Sequence, residues 1–149
     1  MEKPQRTRPL VAVVDDEEPI RRALDRLLRS ARMEVATFAG GGAFLEALAT
    51  LQPDCVLLDL RMPGLDGFET QARLAERSPG LPVVVLTAQD GDDVCERAMS
   101  GGAAAFLTKP VDGHVLLETI LAAVARASSC AEETWSPRRA GESGDEEPS

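Results

Sequence analysis

A chain of 149 residues is sized for a single folded domain, and 44% hydrophobic with 28% charged residues is enough to bury an ordinary globular core. The excess of 25 acidic over 16 basic side chains, a net charge of -9, argues against direct binding to a nucleic-acid backbone or an anionic membrane surface. No apolar run nears the roughly 20 residues that span a bilayer.

The opening segment MEKPQRTRP carries Lys3, Arg6 and Arg8 and lacks the apolar stretch of a secretory signal. It is read as a tail over residues 1–9. From there, short apolar runs alternate with amphipathic stretches. The first run is LVAVV (10–14), followed by a helix that starts near Pro19, a residue suited to the first helical turn, with Ile20, Leu24, Leu27 and Leu28 on one face. EVATF (34–38) is the second run, and Gly40-Gly41-Gly42 reads as a loop into a helix carrying Phe44, Leu48 and Leu51. DCVLLDL (54–60) precedes a helix whose expected face is Phe68, Ala72 and Ala75. LPVVVLT (81–87) leads to a helix with Val94 and Ala98. AAFLT (104–108) leads to the longest stripe, Leu116, Leu117, Ile120, Leu121 and Val124.

Apolar, β-branched runs of this length read as strands buried on both faces. Five of them alternating with five helices predict an α/β fold, a doubly wound five-stranded parallel sheet. The folded domain is expected over residues 10–127. The remainder, rich in Gly, Pro, Ser and acidic residues, reads as a disordered acidic tail over 128–149, with Trp135 its one large apolar residue. Three widely spaced cysteines, Cys55, Cys95 and Cys130, form no metal or disulfide pattern, which suits a reducing cytoplasm. Cys55 reads as core and Cys95 as helix packing. The single histidine, His114, excludes sites built on several His ligands and reads as an exposed residue early in the last helix.

In a doubly wound sheet, ligands gather at the carboxyl ends of the strands. Those ends carry Asp15 and Asp16, then Asp59, then Thr87, then Lys109 followed by Pro110. Three carboxylates brought together repel one another, so a proton or a cation must intervene. Hard oxygen ligands without His or Cys suit Mg²⁺. One carboxylate could attack a phosphoryl group, with Lys109 and Thr87 meeting its oxygens. Asp15 and Asp16 also stand where a helix is capped, and Thr87 and Lys109 could be ordinary strand and surface residues.

The stretches VVDDEEPIRRAL, LLDLRMPGLDGFE, VVVLTAQ and GGAAAFLTKP, in this order and spacing, resemble the receiver domain of bacterial two-component response regulators, with its flavodoxin-like fold. The resemblance covers roughly residues 9–127. It implies that Asp59 is the phosphoacceptor, charged by a sensor histidine kinase, a phosphotransfer protein or a small phosphodonor. It implies that Asp15, Asp16, Asp59 and the backbone carbonyl of Arg61 hold Mg²⁺, that Thr87 and Lys109 contact the phosphoryl group, and that Thr87 and Phe106 form a switch pair. Met62, Pro63 and Gly64 would shape the loop after the acceptor, Gly67 would begin or flank the third helix, and the Lys109–Pro110 bond is often cis in the family. Arg61 and Gln89, two residues beyond Asp59 and Thr87, would set the phosphoryl lifetime.

Only 22 residues follow residue 127, short of the roughly 50 of a further domain. The expected function is therefore a stand-alone receiver that is not an enzyme and signals to another protein, through a last-helix face where relatives dimerise or bind partners. Two rivals are a phosphohydrolase with an aspartate nucleophile, disfavoured by Arg61 where a second acid is usual, and a receiver-like scaffold that is never phosphorylated.

Overall fold

The structure, a computed structural model, describes residues 8–61, 66–88 and 91–133. Met62, Pro63, Gly64, Gln89 and the tail beyond Glu133 lie outside them. The strands are β1 (Leu10–Val14), β2 (Glu34–Phe38), β3 (Cys55–Leu58), β4 (Val83–Thr87) and β5 (Ala105–Thr108). The helices are α1 (Glu18–Ser30), α2 (Gly41–Ala47), α3 (Gly67–Arg77), α4 (Asp92–Ser100) and α5 (Gly113–Glu133). The five strands form one parallel sheet in the order β2-β1-β3-β4-β5, the doubly wound arrangement expected of alternating strands and helices. Among the described residues no helix is long and apolar enough to cross a membrane.

Period-two alternation sends the strand side chains into two cores. Ala12, Val14, Val56, Leu58, Val83 and Val85 pack with α2, α3 and α4 through Phe44, Leu45, Leu74 and Ala98. Val11, Val13, Cys55, Leu57, Val84 and Leu86 pack with α1 and α5 through Leu24, Leu28, Leu116 and Ile120. The reading of strands buried on both faces holds for β1, β3 and β4. It fails for β2 and β5, which form the edges of the sheet and are only partly covered.

Local chemistry accounts for the helix ends. Asp66 caps α3, its carboxylate accepting from the Glu69 N–H at 2.9 Å. Two helices end in the same hydrogen-bonded turn, a left-handed residue followed by a bond back to the helix. After α1 the left-handed residue is Arg32 (φ 67°), and Met33 N–H reaches the Leu28 carbonyl at 3.1 Å. After α4 it is Gly102 (φ 103°), and Ala103 N–H reaches the Ala98 carbonyl at 3.2 Å.

Three expected helix faces are corrected. In α2 the helix ends at Ala47, so Leu51 lies beyond it and the buried pair is Phe44 and Leu45, with Leu48 as the capping residue. In α3 the buried face is Gly67, Thr70, Gln71 and Leu74, whereas Ala72 and Ala75 are exposed. Burial of the two polar residues is tolerable because each is satisfied: Thr70 Oγ1 donates to the Asp66 carbonyl at 2.8 Å and Gln71 Nε2 to the Ala98 carbonyl at 2.7 Å. In α5, Leu121 is 51% exposed, while Ala123 joins Leu116 and Ile120 inside. That helix also continues to Glu133, past residue 127 where the domain boundary was expected. Cys55 is buried, Cys95 half-buried and His114 exposed, its ring beside Glu118 at 3.1 Å.

Candidate functional site

Parallel register brings the site together. Val14 lies opposite Leu58 and Thr87 opposite Thr108, so β1 ends level with β3 and β4 with β5, while Leu58 lies opposite Val85 and β4 runs two residues past the end of β3. The residues immediately beyond are held by one further backbone bond each. Asp15 N–H donates to the Phe38 carbonyl at 3.1 Å, Asp59 N–H to Val14 at 3.0 Å, and Lys109 N–H to Thr87 at 2.9 Å. Ladder bonds of this kind fix the backbone, and through it the direction of each side chain.

Asp15, Asp16 and Asp59 each offer a carboxylate oxygen, and these atoms lie within 4.8 Å of one another. Asp15 and Asp59 are buried, at 2% and 5% exposure, whereas Asp16 faces solvent. The Lys109 ammonium reaches in from β5. Its Nζ is 2.7 Å from Asp15 Oδ2 and 3.5 Å from Asp59 Oδ2, so its closer partner is Asp15. Thr87, fully buried, hydrogen-bonds Asp59 through its side chain. Arg61 contributes its backbone N–H, which donates to Asp59 Oδ1 at 3.1 Å, while its side chain is exposed. Phe106 is half-buried beside Val85 and packs against the core shared with α2, α3 and α4. The Lys109–Pro110 bond is cis.

The electrostatics follow from this packing. Burial raises the Asp59 pKa above its ordinary 3.8, and the Asp15 charge adds to the rise. The Arg61 N–H, Lys109 and Thr87 oppose it without cancelling it. For Lys109, burial acts to lower the pKa, but the Asp15 hydrogen bond and the charges of Asp59, Asp15 and Glu17 outweigh it and hold the ammonium above 10.5. The cluster thus keeps a firmly charged cation beside a carboxylate for which ionisation is costly. Such an arrangement calls for further positive charge. Three hard carboxylate oxygens with one edge open through Asp16 fit Mg²⁺, a small cation that retains part of its water shell.

Two supporting residues, Glu17 and Arg21, escaped the sequence reading. Glu17 lies 3.9 Å from Lys109 Nζ and sends its N–H to Asp15 Oδ1 at 2.9 Å. Arg21 Nη1 donates to the Asp15 carbonyl at 2.7 Å, fixing the turn between β1 and α1. Gly67 sits against the segment that follows β3: a Cβ there would lie 2.2 Å from Leu60 Cα and 2.6 Å from the Asp59 carbonyl oxygen. The expected place of Gly67 at the start of the third helix holds; its close approach to Asp59 and Leu60 had no signal in the sequence.

The family model of the response regulator receiver domain matches residues 11–121. The chain is 40% identical over 131 residues to the DNA-binding transcriptional regulator NtrC of Escherichia coli (strain K12), covering 88% of this chain and 27% of NtrC. It is 38% identical over 123 residues to Nodulation protein W of Bradyrhizobium diazoefficiens, covering 80% of this chain and 53% of that one. The chain therefore spans between about a quarter and about half of the length of these two curated relatives. Among solved structures, the chemotaxis protein CheY4 of Vibrio cholerae matches with a TM-score of 0.75 at 28% identity, covering 78% of this chain and 99% of that one. With the match spanning both cores and the whole acidic edge of the sheet, the chain belongs to the response regulator receiver domains of two-component systems.

Proposed function

We propose that this receiver is switched by phosphorylation of Asp59. The observation that carries the reading is the surroundings of that carboxylate: buried, ringed by Asp15 and Asp16, with Lys109 Nζ at 3.5 Å and the Thr87 hydroxyl bonded to it. An Asp59 oxygen attacks the phosphorus of a phosphohistidine in a sensor histidine kinase or phosphotransfer protein. The P–N bond breaks, the imidazole keeps the electron pair and takes up a proton, and an acyl phosphate forms on Asp59. Asp15, Asp16 and Asp59, with the Arg61 carbonyl, would hold Mg²⁺, whose charge offsets that gathering on the transferred oxygens.

Lys109 then turns from Asp15 to the new phosphoryl oxygens and Thr87 donates its hydroxyl to them. Up to about two added negative charges give both residues a reason to move, and Phe106 occupies the space Thr87 vacates. The signal passes to a downstream protein from the cytoplasmic side, through α4, β5 and α5, with phosphorylation-dependent dimerisation one way of doing so. The domain needs no substrate-turnover site of its own. The test is intact mass after incubation with acetyl phosphate, with and without Mg²⁺. One Mg²⁺-dependent phosphoryl group on the wild type and none on Asp59→Asn is expected. An equal gain on the variant removes Asp59 as acceptor.

A further inference from the structure

We propose that Gln71 is a latch that holds α4 against α3, and so ties the position of α4 to the backbone just after the acceptor. α4 is weakly anchored by its own sequence. It has nine residues, Ala98 is its only fully buried one, and its N-terminal Gly91 offers no side-chain cap. The neighbouring α3 supplies what is missing. Gln71, 3% exposed, donates Nε2 to the Ala98 carbonyl at 2.7 Å, which already accepts from Ala103 N–H at 3.2 Å. Both lone pairs of one carbonyl in the last turn of α4 are thereby used. The same amide lies flat against Gly101, where a Cβ would meet its Cδ and Nε2 at 3.0 Å. One turn earlier on α3, the Phe68 ring carries the Arg97 guanidinium 3.9 Å from its centroid.

The other end of the same face of α3 touches the site. Gly67 leaves no room for a Cβ against Leu60 and the Asp59 carbonyl, and its N–H donates to the Leu60 carbonyl at 3.1 Å. A shift of the backbone after Asp59 must therefore move α3, and the amide of Gln71 carries that movement to α4. This path is separate from Thr87 and Phe106. A buried glutamine amide is a costly choice unless its hydrogen bond is kept, and an apolar residue would hold the core without holding the carbonyl.

The test is amide hydrogen exchange on the full chain for Gln71→Leu and Gly101→Ala. The second variant reaches the latch from the other side: Gly101 has an ordinary helical φ of -78°, so alanine strains no backbone and only presses the Gln71 amide away. Both variants are expected to speed exchange in residues 95–103 about tenfold, with β1 and β3 unchanged. Exchange within twofold of wild type in α4, or a uniform rise through the molecule, overturns the latch. The relay rests on the Asp59 reading and has its own arm. After acetyl phosphate with Mg²⁺, the wild type should change its α4 exchange, and Gln71→Leu should lose at least half of that change. An undiminished change overturns the relay. Intact mass of the same samples separates the two readings, since absence of a phosphoryl group counts against Asp59 phosphorylation while the unphosphorylated arm still decides the latch.

Discussion

Replacing Asp59 with asparagine should make the metal-free protein more stable. Asp59 Oδ2 lies 3.5 Å from Lys109 Nζ, an attraction of roughly 5 kcal/mol at an effective dielectric of 20. An oxygen of Asp15 lies within 4.8 Å of one on Asp59, a repulsion of about 3.5 kcal/mol or more on the same basis. These nearly cancel, leaving the cost of holding a carboxylate at 5% exposure, which is several kcal/mol for an ion removed from water. Asparagine keeps an oxygen for the Arg61 N–H and gains an amide to donate to Asp15, so the expected gain is about 1–3 kcal/mol. That corresponds to a rise in melting temperature of about 3–10 °C for a domain of this size. Because the folded-state pKa of Asp59 is raised, its ionisation cost is absent below its ordinary value of 3.8 and grows as pH rises through the folded value. The advantage of the variant should therefore be present at pH 7 and vanish near pH 3. Saturating Mg²⁺ should reverse the order at pH 7: at 100 times its Kd it adds about 2.7 kcal/mol to the wild type and far less to the variant. Thermal unfolding in EDTA and in MgCl₂ at both pH values reads all four outcomes. A variant that melts at or below the wild type in EDTA at pH 7 would refute the reasoning that burial dominates the charge balance.

Further expectations concern single positions. Arg32 takes a left-handed conformation without being glycine, so Arg32→Gly should add roughly 0.5–1 kcal/mol, read as a higher urea midpoint at unchanged slope. Gly67→Ala places a Cβ 2.2 Å from Leu60 Cα and should cost at least about 2 kcal/mol; a midpoint equal to wild type would show that the loop yields freely. In α5, Leu116→Ala should cost about 2–5 kcal/mol, while Leu121→Ala, at a half-exposed position, should stay near 0.5 kcal/mol. Equal costs in denaturant unfolding would contradict the corrected helix face. Lys109→Met removes the cation shared by Asp15 and Asp59 and should cost about 3–5 kcal/mol at neutral pH. Because the ammonium pKa is raised, the wild type's advantage should persist below 10.5 and fall only as pH climbs through the higher folded value.

The strands and the site were legible in the sequence because both are local signals. A buried parallel strand must be apolar on both faces, so LVAVV, DCVLLDL and LPVVVLT stand out, and a charged or hydroxyl residue at the end of such a run is conspicuous. That is why Asp15, Asp59 and Thr87 could be read as one edge before any distance was known. The helix faces were less legible. Apolar spacing favoured Ala72 and Ala75 over Thr70 and Gln71, because a polar residue can be buried when a carbonyl accepts from it, that of Asp66 one turn back for Thr70 and that of Ala98 on another helix for Gln71, and residue type alone does not announce that carbonyl. The sequence by itself determined the alternation of strands and helices, with it the parallel sheet, and which side chains stand at the carboxyl edge, since each follows from residue types near one another in the chain. Only the tertiary structure decided that Lys109 sits closer to Asp15 than to Asp59, that Gly67 wedges α3 against the backbone of Asp59 and Leu60, that β2 and β5 are edges, and that Gln71 reaches α4. All but the Gly67 contact join groups far apart in sequence, and all depend on separations of a few ångströms that folding alone sets.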